Sequence, residues 1–293
     1  MGPEPGLATE APSIAHRRLC FVLGKGGVGK STVSAALGLA AATAGKRPFL
    51  EENSGSDHAS SALGAEGGGT EPSQIAENLF TVTIDVDRST EEYLASQLPL
   101  RPLVDLLVQS RAFHHFTTAA PGLAELVTVG AIWKRAVALH DDDETPVWDY
   151  VVVDCPATGH GIALLETAAN IRDLAGDGPI HDQAGRIEQV IRHPAATGVA
   201  LVALPDELPV SEAIDAHGAL RDRGLPVALA PAPGRRKEIS ALLLSERETH
   251  WLRVLLLRLP GALARRLDIA FTGRGTFVLG AEGDLQDLPF GMA

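Results

Sequence analysis

The chain has 293 residues, 45% of them hydrophobic and 21% charged, with a formal net charge of −12. That length suits one large α/β domain carrying an insertion, and the apolar fraction is ample for a buried core. The negative charge argues against an extended nucleic-acid or anionic-membrane surface, so no nucleic-acid partner is expected. Cys20 and Cys155 are the only cysteines, each in an apolar, strand-like run. Two isolated thiols fit a reducing compartment and make no metal framework. The opening MGPEPGLATEAPSIAHRR has no apolar signal-peptide core, and no run reaches the roughly 18 apolar residues of a membrane span. A cytoplasmic protein with no integral membrane segment is therefore expected.

In chain order, residues 1–17 are rich in Pro, Gly and Ala without periodicity, and read as a flexible leader to a single domain over 18–293. Leu19 to Leu23 reads as a short buried strand. GKGGVGKST follows from Gly24 to Thr32, then an Ala- and Leu-rich helix from Ser31 to Ala44 with Gly45 as its stop. Pro48 to Leu50 is a second strand, completing the βαβ opening of a parallel sheet. Ser54 to Pro72, dense in Gly, Ser and Ala, is expected to be a mobile loop, and the alternation of Leu79 to Val86 suggests a strand near a sheet edge.

Thr90 to Leu139 has helical spacing broken at Pro99, Pro102, Pro121 and Gly122, which predicts a helical lobe at about 90–140. The acidic run Asp141 to Glu144 reads as a solvated loop. Tyr150 to Val153 is a continuous apolar strand ending in Asp154. Val199 to Leu204 and Leu225 to Leu229 are further strands, and Trp251 to Leu267 is a candidate amphipathic helix interrupted at Pro260 and Gly261. The last 25 or so residues resist assignment, and no internal repeat is evident.

Gly24 to Ser31 matches G-x-x-x-x-G-K-[ST], between a strand and a helix as phosphate binding requires. The glycines of this loop (Gly24, Gly26, Gly27 and Gly29, with Val28 among them) let backbone N–H groups turn inward around a phosphate, and the following helix adds a favourable dipole. Lys30 is expected to reach the β- and γ-phosphates of ATP, Ser31 to ligate Mg²⁺, and Thr32 to contact the α-phosphate. Asp154, at a strand end, is expected to hold the Mg²⁺ shell as a Walker B carboxylate.

Lys25, directly after the first glycine, makes the loop resemble the deviant Walker A class, which includes partitioning ATPases, nitrogenase iron protein and arsenite-pump ATPases. That resemblance implies a dimer in which this lysine crosses the interface to the partner's nucleotide and neutralises transition-state charge. DCPATGHG, starting at Asp154, resembles the switch II segment of arsenite-pump and tail-anchored-protein targeting ATPases. It implies a switch built from Asp154, Pro156, Thr158, Gly159 and His160, with Gly159 as a γ-phosphate-sensing hinge and His160 as its relay. RPLVDLL, FTTAAPGLAELVTVGAIW, VVVDCPATGHGIALL, GPIHDQAGRI and LPDELPVSEAID look in the same order like the bacterial ArsA-like subgroup, covering roughly Leu19 to Val227. The resemblance implies a three-layer α/β P-loop NTPase fold, a mainly parallel twisted sheet with a helical subdomain near a dimer interface.

Three departures from that pattern stand out. Where the family places a switch I aspartate, this chain reads LEENSGSDHAS, leaving Glu51, Glu52 or Asp57 as substitutes. VALAPAPG, from Val227 to Gly234, lacks the family's base-reading asparagine, and the Arg235, Arg236 and Lys237 after it read as a solvated basic loop, with a phosphate or partner contact as the alternative. No thiolate cluster, C-x-x-C pair or internal methionine is present for the family's clients. His114 and His115 are adjacent, point to different helix faces, and read as ordinary helix residues.

The sequence thus predicts an ATP-binding, Mg²⁺-dependent hydrolase: a dimeric conformational switch, homodimeric or paired with a paralogue, acting on an unidentified protein client. The alternative is a degenerate, weakly or non-hydrolysing nucleotide-binding subunit with a structural or regulatory role. Catalysis in the first reading falls to Lys25, Lys30 and Asp154.

Overall fold

The computed structural model describes residues 14–52, 58–65, 69–97, 122–140, 144–203, 207–229, 242–243, 269–272 and 276–279. The chain enters the packed domain through a 3₁₀ turn at Ile14–His16. Ile14 and Arg17 are buried, and Arg17 donates 2.8 Å to the Thr197 carbonyl, so packing against the domain already begins at Ile14, inside the leader expected over 1–17.

β1 (Leu19–Gly24) is apolar on both faces and buried throughout, as a central strand of a covered parallel sheet must be. α1 (Lys30–Thr43) follows it, with Gly45 at φ 83 just beyond its end. The Lys46 N–H reaches the Ala41 carbonyl and the Gly45 N–H the Ala42 carbonyl, a Schellman termination that needs the left-handed glycine. β2 (Pro48–Glu52) runs two residues further than its apolar part predicted, because Glu51 and Glu52 are themselves buried in the sheet.

The stretch expected to be a loop over 54–72 contains a short helix, α2 (His58–Ala62), with Ala59 and Leu63 in the core beside α1. One turn with two apolar anchors is too short to register as periodicity among glycines and serines. β3 (Ser73–Ala76) then pairs antiparallel with β4 (Leu79–Thr83), around a turn with Asn78 at φ 59. β4 therefore lies one strand in from the edge.

α3 (Val86–Gln97) and α4 (Leu123–Ala136) fall within the span predicted as a helical lobe. Residues 98–121, including His114 and His115, lie outside the described residues. What is described of α4 packs on the sheet itself, with Val129, Ile132 and Ala136 against Phe49, Val151 and Val153. β5 (Tyr150–Asp154), α5 (Thr158–Leu174), α6 (Pro179–Arg192), β6 (Thr197–Val202), α7 (Glu207–Asp222) and β7 (Val227–Leu229) complete the main layer. Strands β8 (Leu242–Leu243), β9 (Ile269–Thr272) and β10 (Thr276–Leu279) form a separate antiparallel sheet in the order β8-β10-β9. The predicted helix at Trp251 to Leu267 lies outside the described residues, as do 230–241.

The main sheet has seven strands in the order β3-β4-β2-β5-β1-β6-β7, all parallel except β3. Side-chain alternation divides its core in two. Cys20, Val22, Leu50 and Val152 pack under α1 and α2, whereas Phe21, Leu23, Phe49 and Val153 pack under α4 to α7. This is the expected three-layer α/β architecture. All six parallel strands end on one rim, and β1 and β6 send their connections in opposite directions, α1 towards β2 and α7 towards β7. A crevice opens between such strands, which is where ligands bind in open α/β sheets.

Ile132 is fully buried between the sheet and α5 and α6. Ile132→Ala is expected to lower unfolding free energy by about 2–5 kcal/mol in urea titrations. A loss under about 1 kcal/mol would contradict the packing of α4 on the sheet.

Candidate functional site

The rim site begins at the last residue of β1. A Cβ on Gly24 would lie 2.4 Å from the Val202 carbonyl oxygen of the neighbouring strand, so only glycine fits where β1 and β6 run this close. Gly27 and Gly29 adopt φ of 82 and 92, the left-handed conformation that aims successive N–H groups into one hollow. Val28 is buried and pins the loop from below, while Gly26 and Gly27 are exposed. Gly29 caps α1, and the Val33 N–H donates to its carbonyl at 3.0 Å.

Lys30 donates from Nζ to the Lys25 carbonyl at 3.2 Å, a bond that folds its ammonium back over the loop. Lys25 is held differently from the solvated or partner-directed arrangements that its position alone suggests. Its Nζ donates 2.7 Å to Glu212 Oε1 on α7, and both side chains are a little over one-third exposed. This ion pair bridges the crevice between the β1 and β6 connections. Pairs this exposed contribute about 0.2–1 kcal/mol, so it is readily exchanged for another partner.

Asp154 closes β5 beside Val22 of β1 and Glu52 of β2. Burial raises its pKa, opposed by hydrogen bonds from Ser31 and Ser34 and by the charges of Lys30 and His58. Ser34 Oγ lies 3.2 Å from Asp154 Oδ1 and 3.0 Å from the Lys30 carbonyl. A desolvated carboxylate beside the hydroxyls of Ser31 and Ser34 has the hard-oxygen chemistry that Mg²⁺ takes, and a cation there would offset the cost of burial. The residues present therefore fit a magnesium site.

The other predicted residues are placed as follows. Thr32 is half-buried in the first turn of α1. Pro156 is half-buried, and Thr158, Gly159 and His160 form the first turn of α5, with Gly159 and His160 exposed. Gly159 is thus helical here, and Gly161, two residues on, is where α5 presses on β1: a Cβ there would meet Leu23 at 2.1 Å. Cys20 and Cys155 are buried, and burial pushes their thiols up, Cys20 to about 12 and Cys155 well above its usual range.

The switch I substitutes separate. Asp57 lies outside the described residues. Glu51 faces away from the P-loop side, in the layer of Phe49 and Val153, and meets Arg135 of α4 at 3.5 Å. Glu52 faces the P-loop side. Sequence reasoning missed Ser34, Glu212, His58 and Ser60. Only Ser34 left a signal, four residues after Lys30 and so on the same helix face.

With this geometry in place, residues 17–176 match the ArsA ATPase family, described as anion-transporting ATPases. The chain belongs to this family. It is 33% identical over 215 residues to ATPase BagA of Mycobacterium tuberculosis, covering 72% of this chain and 63% of BagA. ATPase get3 of Schizosaccharomyces japonicus is 29% identical over 168 residues, 56% of this chain and 48% of the relative. The arsenical pump-driving ATPase of Escherichia coli is 26% identical over 224 residues, 75% of this chain and 36% of its own length. The chain therefore spans under two-thirds of each of these relatives. No helix among its described residues is long and apolar enough to cross a membrane.

Glu51 generates a pH prediction. Burial raises its carboxyl above the usual 4.5, with the Arg135 guanidinium opposing. The folded protein therefore holds this proton more tightly than the unfolded chain. The contribution is fully stabilising below about pH 4.5 and is lost as pH rises through the raised folded value. Glu51→Gln removes that loss, so the variant should gain on wild type between pH 5 and pH 8 in urea unfolding. A stability difference that is constant with pH would refute the burial argument.

Proposed function

We propose that this ArsA-family chain binds Mg·ATP and hydrolyses it as a dimeric conformational switch acting on a protein partner. The observation that carries the reading is the convergence on one rim of a left-handed glycine loop, Lys30, Ser31 and the buried Asp154, which Ser34 hydrogen-bonds at 3.2 Å. A triphosphate in the loop would draw Lys30 from the Lys25 carbonyl onto the β- and γ-oxygens. Ser31 and Asp154 would hold Mg²⁺, which would supply charge neutralisation to the phosphates.

The deviant Walker A reading gives Lys25 its role. Paired with Glu212, Lys25 is committed within its own subunit. Engagement of a partner's nucleotide requires it to leave that carboxylate, and the small strength of an exposed pair makes the exchange feasible. Asp154, at the head of the segment leading into α5, would couple a bound metal to the first turn carrying Thr158, Gly159 and His160. Movement of that turn on loss of the γ-phosphate would be the output of the switch. The dimer mate is a second copy or a paralogue, and the protein acted on is a separate client, in the cytoplasm.

A second reading, a nucleotide-binding subunit with little or no hydrolysis, is favoured by the position of Glu51. One of the three substitutes for the switch I aspartate faces the opposite layer, paired with Arg135. Steady-state ATPase rates, alone and with any co-encoded paralogue, separate the two.

Lys30→Ala should weaken Mg·ATP binding about 10- to 100-fold by calorimetry, since a charge-assisted contact is worth about 1.5–3 kcal/mol. Unchanged affinity would sink the assignment of the loop. Lys25→Ala should bind ATP within about threefold of wild type, a difference under 1 kcal/mol, yet sediment as a monomer with a non-hydrolysable ATP analogue where wild type dimerises. Unaltered dimerisation and hydrolysis in that variant would remove the trans-lysine mechanism.

A further inference from the structure

Glu51 and Glu52 are consecutive and both fully buried, but the alternation of β2 sends them to opposite layers. Glu52 sits in lateral register with Asp154 on the adjacent strand. Its Oε1 accepts two hydrogen bonds of 2.6 Å, from the backbone N–H and from Oγ of Ser60 in α2. Ser60 Oγ also lies 3.4 Å from the Thr81 hydroxyl, which donates to the Leu50 carbonyl at 3.1 Å. The Ile84 N–H donates to the Glu52 carbonyl, which fixes the same residue from its backbone side. One turn of helix has little stability of its own. This clasp, with Ala59 and Leu63 in the core, is what fixes α2 against β2 and α1.

His58 opens α2 two residues before Ser60, and its side chain is exposed. The sheet order β2-β5-β1 places β2, the strand to which Glu52 clasps α2, on the other side of the Asp154 strand from the strand that carries the P-loop. A phosphate chain whose inner phosphates lie in the loop after β1, and which runs past the metal carboxylate after β5, ends at β2 and α2. We propose that His58 is a further residue of the nucleotide site, donating a hydrogen bond to the terminal phosphate of a nucleoside triphosphate, and that Glu52 is the positioning residue that holds it there through Ser60. A neutral imidazole always carries one N–H donor, so the contact needs no protonation event. The influence of His58 on the Asp154 carboxyl agrees with this placement.

The proposal rests on the nucleotide reading of the P-loop, and the test separates the two. Calorimetry with Mg·ATP and Mg·ADP is run on wild type, His58→Ala, Ser60→Ala, Glu52→Ala and Glu52→Gln, with thermal unfolding as a check on folding. His58 is exposed, so His58→Ala should unfold with wild type and lose about tenfold in ATP affinity while binding ADP as before. Glu52→Ala should show the same selective loss, with Ser60→Ala intermediate, and Glu52→Gln should restore ATP preference because its amide oxygen still accepts from Ser60. A structural defect alone would lower ATP and ADP affinity together and would not be rescued by glutamine. An ATP-to-ADP preference unchanged in His58→Ala overturns this inference and leaves the P-loop reading standing. A wild type that binds neither nucleotide overturns both.

Discussion

Burial of the Asp154 carboxylate at the end of β5 is the constraint around which the rim is arranged. Desolvation pushes the group towards its neutral form, and the fold answers with Ser31, Ser34 and the positive charge of Lys30. Ser31 and Lys30 stand in the first turn of α1 and Ser34 one turn on, so α1 must start directly over Asp154. That requirement fixes the loop before it. Gly24 has to pass within 2.4 Å, at a Cβ position, of the Val202 carbonyl, and Gly29 has to turn left-handed to launch the helix. The loop geometry that suits a phosphate and the donors that keep a buried carboxylate tolerable are one arrangement.

The parallel sheet makes this arrangement possible. Parallel strands need crossover helices, which cover both faces and leave every carboxyl end on one rim. Residues remote in sequence then meet: Glu52, Asp154, the P-loop and the start of α7 all stand at strand ends. The Lys25–Glu212 pair is the contact across the crevice itself. Elsewhere the far layer carries further ion pairs: Arg172 of α5 on Glu188 of α6, Arg192 on Glu188 within α6, and Arg223 on Glu166 of α5. The first and last of these link α5 to α6 and to the end of α7.

Much of this was legible in the sequence, for identifiable reasons. Continuous apolar runs such as LCFVL and YVVV are unambiguous because a strand covered on both faces has no polar side to display. The P-loop is legible because its glycines and lysine have fixed spacing, and the end of α1 because a Schellman turn needs Gly45. What escaped was short or set by tertiary contact. α2 is a single turn whose order comes from Glu52 and two apolar anchors, and β3 exists only by pairing with β4. Glu212 lies 187 residues from Lys25, and no local pattern announces a pair at that separation.

Glu51 and Glu52 show where sequence reading stops and geometry begins. As letters they are interchangeable candidates for one missing aspartate, and composition cannot rank them. A strand period of two assigns them to different layers, one to a guanidinium on α4 and the other to a serine on α2. Shifting β2 by one residue would exchange those fates and would also expel Phe49 and Leu50 from their own cores. The apolar half of the strand therefore decides which carboxylate faces the P-loop. Hydrophobic register, set far below the rim by Phe49 against α4 and Leu50 beneath α1, chooses the chemistry available at the strand's end.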